Sequence, residues 1–174
     1  AYVTEETYIS PPINDDIRTG SIIQAKTDNI YCIVLSPPCD LAVHNGKMKT
    51  DCILICKIDS QDEVNARIIG GIGKKADKQR KEIAKALNNN YTDYYHWLPQ
   101  NTLFAGGYIN FRKVFTYSPE ELHNNFERPL IKVQEGFVKS ILSRFSSYYA
   151  RQGQPDFNFA EEAKFIVQRL SPNL

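Results

Sequence analysis

Ile30-Tyr31-Cys32-Ile33-Val34-Leu35-Ser36-Pro37-Pro38-Cys39-Asp40-Leu41 is the stretch on which the fold turns. Its first six residues are apolar on consecutive positions, the pattern of a strand buried on both faces. Pro37 and Pro38 remove two backbone donors and end that strand. Cys39 and Asp40 are thereby delivered into a loop, where a scaffold holds chemistry. Upstream, residues 21–25 read as a partner strand, because Thr27, Asp28 and Asn29 supply turn chemistry between the two runs. Downstream, Asn45-Gly46 marks another turn before an apolar strand over residues 51–58. Ile33, Leu35, Ile53 and Ile55 are expected to be buried on a common face.

Further along, residues 66–69 form a third apolar piece that runs into Gly70-Gly71-Ile72-Gly73. The lysine-rich residues 74–87 have helix-forming composition, and Asn88-Asn89-Asn90 stops them. Strands are expected over residues 94–98 and 103–111, the second bent or bulged at Gly106-Gly107. Ser118-Pro119 reads as a capped helix start. Over residues 135–151, Phe137, Ile141, Phe145 and Tyr149 recur every fourth position, flanked by Val138, Leu142 and Tyr148, which predicts a wide buried helical stripe. Gly153 and Pro155 end it. Asn158 and Glu161 then resemble a capping box opening a last helix to Leu170. These elements predict an α+β fold: a small antiparallel β-barrel with C-terminal amphipathic helices packed on it. Residues 1–20, containing Pro11-Pro12 and a short strand over residues 2–9, read as an arm. Residues 21–174 read as one domain, with the barrel over 21–117 and the helical portion over 118–174.

At 174 residues, 42% of them hydrophobic, the chain is long enough to bury a core without a covalent staple. The net charge of +1 argues against wholesale electrostatic capture of nucleic acid and leaves room for a local patch. No apolar run approaches a membrane span, and residues 1–6 have neither the basic start nor the apolar core of a signal peptide. Beginning at Ala1 instead of Met, the chain is expected to be processed or cut from something longer. Its four cysteines are separated by six, twelve and three residues, which matches no zinc motif. Cys32, Cys52 and Cys56 lie in apolar runs and read as small hydrophobes, so the expectation is a reducing, cytoplasmic setting without cofactor or metal.

Gly20-Ser21-Ile22-Ile23, then Ile33-Val34-Leu35-Ser36-Pro37, then Cys52 through Ser60 resembles the succession of early strands in the MazF/PemK family. That resemblance covers residues 20–60 and implies an SH3-like barrel of the kind used by RNA-cleaving toxins. The family's metal-free cleavage uses an arginine just before its Val-Val-Leu-Ser-Pro strand and a Thr or Ser after the later strand. In this chain Ile30 falls at the arginine position and Ser60 at the hydroxyl position. Isoleucine cannot stabilise charge developing on a phosphate. A cleavage activity would then need an arginine recruited from elsewhere, with Arg67 and Arg112 as candidates. The segment from Phe145 to Pro155 resembles uncharacterised bacterial proteins, which implies a bacterial or phage origin.

Four constellations could carry chemistry. Cys39, Asp40 and His44 would make a nucleophile, an orienting carboxylate and a base; alternatively Cys39 plugs the barrel mouth, Asp40 caps a turn and His44 is exposed. A metal site from Cys39, His44, Cys52 and Cys56 would need a sharp bend, because Cys52 and Cys56 would lie roughly 13 Å apart along a straight strand. Lys74, Lys75, Lys78 and Lys81, with Arg80 and Lys85, would track phosphates, and Tyr91, Tyr94, Tyr95, His96 and Trp97 follow as stacking surfaces. The alternative there is a solvated helix whose Ile83 and Leu87 touch the core. Arg144 and Arg151, seven apart on one side of their helix, meet an anion or pair with local acids such as Glu135. The functional expectation is a non-catalytic binding or regulatory module of a bacterial or phage conflict system of toxin–antitoxin type. It would have a protein partner or larger parent assembly, and RNA or DNA would reach it through the basic segment. The alternative is an enzyme, either a diverged RNA-cleaving toxin or a cysteine-dependent hydrolase centred on Cys39.

Overall fold

The computed structural model describes residues 4–11, 16–151 and 158–171. Gly153 and Pro155, expected to end a helix, and residues 1–3 and 12–15 of the expected arm lie outside these. The strands are β1 (Tyr8–Ile9), β2 (Ser21–Gln24), β3 (Tyr31–Val34), β4 (Val43–His44), β5 (Lys47–Met48), β6 (Ile53–Ser60), β7 (Tyr95–Leu98), β8 (Gly107–Tyr117) and β9 (Ile131–Val133). The helices are α1 (Gln61–Ile72), α2 (Ala76–Leu87), α3 (Pro119–Asn125), α4 (Glu135–Tyr149) and α5 (Phe159–Leu170). The fold is α+β, built on a curled antiparallel seven-stranded sheet, a half-barrel, in the order β1-β9-β2-β3-β6-β8-β7. β4 and β5 form a separate two-stranded hairpin.

The strands expected around Thr27-Asp28-Asn29 form as read, and the Asp28 carboxylate accepts the Ile30 amide at 3.1 Å to hold the turn. Asn45 and Gly46, with φ of 51° and 76°, make the two-residue turn of the β4–β5 hairpin. Residues of the expected arm also enter the sheet, because β1 pairs with β9 and Tyr8 is buried. Its hydroxyl donates to the Pro99 carbonyl at 2.5 Å, and its ring meets Phe104 edge-on. Side chains therefore join the region of the first strand to the region just after β7.

The sheet has apolar residues on both faces. Ile22, Ile33, Cys56, Ile109, Phe111, Ile131 and Val133 form one core with Val138 and Ile141 of α4. Ile23, Cys32, Val34, Ile53 and Ile55 form the other with Leu41, Leu122 and Phe126. This corrects the expectation of a common face: Ile33 and Leu35 belong to the α4 side, whereas Ile53 and Ile55 belong to the opposite one. The cause is register, since Ile33 pairs with Cys56 and Val34 with Ile55, and paired residues share a face. A third core places Val64 and Ile68 of α1 and Ala86 of α2 against Tyr95 and Tyr108.

Residues 66–69 lie within α1, which starts where the Ser60 hydroxyl caps the Glu63 amide. The bulge lies beyond the glycines expected to make it. Cys56 faces Val114 but Ile58 faces Ile109, so residues 110–113 of β8 arch past Lys57. Gly107 answers a different need: a Cβ there would lie 2.6 Å from the Asp59 carbonyl oxygen. α3 carries the full capping box at Ser118 and Glu121. α4 buries Val138 and Ile141 and packs Phe137, Leu142, Phe145 and Tyr148 around them, but Tyr149, expected in the buried stripe, is 51% exposed because it lies at the last turn beyond the core; every residue of α5 is exposed and none joins the three cores. Among the described residues no helix is long and apolar enough to cross a membrane.

Candidate functional site

Cys39 sits exposed in the loop after β3, with its Sγ 3.7 Å from Asp40 Oδ1. The loop is fastened by its backbone, since the Asp40 amide donates to the Pro37 carbonyl and the Thr50 amide donates to the Asp40 carbonyl. His44 is exposed in β4 opposite Lys47, and among the described residues no hydrogen bond joins it to Cys39. Ser60 ends β6, and its hydroxyl oxygen accepts from the Glu63 amide at 3.5 Å. Arg67 donates to the Tyr95 hydroxyl and Arg112 to the Tyr148 hydroxyl, so neither bonds to Ser60. Among the described residues no group of three or more His, Cys, Asp or Glu could hold a metal ion.

Cys32 and Cys56 are buried, and burial pushes both thiols up to about 12. Cys52, expected inside a strand, is exposed. It precedes β6 by one residue, in a turn where the Thr50 hydroxyl accepts from its amide and donates to its carbonyl.

Lys74, Lys75, Lys78 and Lys81 are all exposed, on the turn between α1 and α2 and along α2 itself. The neighbouring acids are engaged by other cations, Asp77 by Arg80 at 3.0 Å and Glu82 by Lys85 at 2.7 Å. The four lysines form no ion pair among the described residues. Ile83 and Leu87 pack partly against the α1 side, so the helix turns an apolar edge inward and a basic ridge outward.

The most elaborate polar arrangement forms where the segment between α2 and β7 meets α4. Arg144, half-buried, donates through Nη1 to the Tyr95 carbonyl at 2.5 Å, and through Nη2 to the carbonyls of Asn89 at 3.1 Å and Thr92 at 3.0 Å. Its Nη1 also lies 3.2 Å from His96 Nδ1; since arginine can only donate, that nitrogen accepts and the imidazole is neutral. Burial, with the Arg144 charge, pushes His96 down to about 3. Arg112 stacks on Tyr94 with 3.8 Å to the ring centroid, and its Nε donates to the Tyr148 hydroxyl at 3.1 Å. Arg151 lies over the Tyr148 ring and pairs with Asp93. A cleft of about 430 Å³ opens here, lined by residues 89–93 and by Arg144, Ser147, Tyr148 and Arg151. Arg112 stands beside this lining, bonded to its Tyr148.

The bulge in β8 aims this region. Asp59, at the end of β6, is buried and accepts from Lys113 Nζ at 2.9 Å and from the Asn110 side-chain Nδ2 at 2.9 Å. Burial raises its carboxyl, but those hydrogen bonds and the charges of Lys113 and Lys57 outweigh that and hold it below its ordinary value. With both ends of the arch tied to Asp59, Phe111 is buried against Phe145 and Arg112 is exposed against Tyr94. The spacing of Arg144 and Arg151 and the run of aromatics are visible in the sequence; the register that brings Arg112 to them is not. Neither a family model, nor a curated protein, nor a solved structure matches the chain.

Proposed function

We propose that the chain is a binding module that takes RNA or DNA along the basic ridge of α2, serving a bacterial or phage conflict system of toxin–antitoxin type. The observation that carries this reading is the set Lys74, Lys75, Lys78 and Lys81: exposed, without ion pairs among the described residues, and beside acids that other cations engage. A cation held in no ion pair, even where a carboxylate such as Glu82 acts on Lys78 and Lys81 at longer range, is available to a phosphate, and each phosphate it neutralises releases counterions. The resemblance of residues 20–60 to MazF/PemK barrels supplies the biological setting, and a protein partner or parent assembly belongs to it. Replacing the four lysines together by Ala is expected to weaken binding to all sequences alike. It should also flatten the dependence of log K on log salt, by about 0.7 for each phosphate of a single strand that the variant no longer neutralises. Wild-type protein showing no salt-sensitive binding at low ionic strength would overturn the reading.

Exposure of Cys39 at a strand end favours one rival, a cysteine-dependent hydrolase. Limited alkylation at neutral pH separates the two. The hydrolase requires Cys39 to label faster than Cys52, which is also exposed, and to slow in His44→Ala; equal rates in both comparisons leave the binding module.

A further inference from the structure

We infer that the cleft between the α2–β7 segment and α4 seats one unstacked nucleotide of a single-stranded nucleic acid, its phosphate on Arg112 and the Tyr148 hydroxyl and its base on Tyr91. The inference rests on the nucleic-acid reading of the basic helix and gives that reading a strand-specific contact.

Arg112 is the group built for an anion. Its plane is stacked on Tyr94 and its Nε is held by Tyr148, so the guanidinium is fixed before any ligand arrives. Its two terminal nitrogens make no hydrogen bond or ion pair among the described residues, and Asp93 acts on the guanidinium only at longer range, which leaves a fork of the shape that takes two oxygens of one phosphate. Tyr148 accepts from Arg112, so its own proton is left to donate to the same phosphate. Arg144 is not a second anion fork, because three carbonyls and His96 take the four donors of its terminal nitrogens. It positions the wall instead, tying Asn89 and Thr92 to α4. Asp93, the carboxylate of the lining, is paired with Arg151, so three guanidiniums surround one neutralised acid and the cleft stays cationic.

Tyr91 lines the cleft and is 41% exposed. A cation fork bonded to the Tyr148 wall of the cleft, with the partly exposed Tyr91 in the same lining, suits a phosphate and its base, and a stacked base is sequence-tolerant. The volume of about 430 Å³ lies within the range of small-ligand sites. Asn88, Asn89 and Asn90 directly continue α2, so a strand following the lysine ridge reaches this cleft along the same segment.

The test measures binding of fluorescent uridine and thymidine oligonucleotides, and of uridine 5′-monophosphate, to wild type, Arg112→Ala, Arg112→Lys, Tyr91→Ala and the quadruple lysine variant. Arg112 and Tyr91 are both exposed, so neither substitution opens a core, and melting curves check that. Arg112→Ala and Tyr91→Ala are each expected to lose about tenfold or more for either oligonucleotide, Arg112→Lys to fall between, and the monophosphate to bind wild type but not Arg112→Ala. The lysine variant should lose oligonucleotide affinity and keep the monophosphate. If the lysine variant alone is impaired, the cleft inference is overturned and the ridge reading stands; if the cleft variants alone are impaired, the reverse holds. Displacement of the monophosphate by inorganic phosphate or a polyglutamate peptide at equal concentration would make the cleft a bare anion site and overturn the nucleotide assignment. Wild type that binds no oligonucleotide at low salt overturns both.

Discussion

α4 and α5 are both amphipathic helices in the C-terminal part of the chain, and their surroundings differ completely. In α4, Val138 and Ile141 are 6% and 0% exposed, and Phe137, Leu142, Phe145 and Tyr148 pack around them. In α5, Val167 and Leu170 are 59% and 70% exposed. An apolar stripe states that a helix has a face to cover and does not state what covers it. α4 begins two residues after β9, with the Gln134 amide held by the Thr7 carbonyl, so its stripe is delivered straight onto the sheet. α5 has no such short tether, since residues 150–158 intervene.

Substitution can break this contrast, and the largest effect is expected at its centre. Ile141→Ala removes a fully buried side chain between α4 and the sheet and should cost about 2–5 kcal/mol in urea denaturation. A loss below about 0.5 kcal/mol, the range of ordinary surface changes, would mean that α4 does not pack as described. Phe145→Ala should cost about 2–3 kcal/mol, less than a fully buried ring, because Phe145 is half-buried and, besides the buried Phe111, its other ring partner is the exposed Tyr149.

The next test uses the contact between α4 and β7. The unfolded chain takes a proton at His96 near its ordinary value of 6.5, the folded chain only near 3. This group therefore leaves stability unchanged above pH 6.5 and lowers it as pH falls toward 3, by at most about 1.4 kcal/mol per pH unit. Asp59 is held below its ordinary value, so its contribution is lost at lower pH, and a window of about pH 5 to 6.5 isolates the histidine. Denaturation midpoints of wild type and His96→Gln across that window should differ in slope; parallel slopes would place His96 in water. The smallest effect is expected in α5, where Val167→Ser and Leu170→Ser should each stay within about 0.5 kcal/mol. A cost above about 1.5 kcal/mol would show that α5 is covered in solution and that the contrast fails.

Cysteine labelling sharpens the picture of the sheet. Cys39 and Cys52 should react with iodoacetamide in the native protein, and Cys32 and Cys56 only on unfolding. The Cys56 thiol is further tied to the Asn110 carbonyl at 2.9 Å, at the foot of the arch in β8.

Much of the sheet was legible because its signals are local. The turn at Asp28, the turn at Asn45-Gly46, the Ser118 helix cap and the stripe of α4 each depend on residues a few positions apart. α1 was legible only as an apolar piece, because its buried residues are few, Val64 and Ile68, and two glycines sit in its last turn. The candidate site was legible in fragments. Lys74, Lys75, Lys78 and Lys81 follow from composition, whereas the cleft depends on Arg112, whose direction is set by a slip of register between β6 and β8.

The sequence by itself determined the α+β class, the antiparallel pairing of β2, β3 and β6, and the existence of a basic helix and two amphipathic ones, because turn chemistry and hydrophobic periodicity act within one or two turns of chain. Only the tertiary structure decided that Ile33 and Ile55 face opposite cores, that β8 arches at residues 110–113, and that α4 is buried while α5 is not. Those outcomes rest on contacts between residues far apart in the chain, such as Asp59 with Lys113 and Arg144 with Tyr95, separated by 54 and 49 positions. A local pattern offers a charge or an apolar face; which distant group satisfies it is settled by the one packing in which the buried polar groups all find partners.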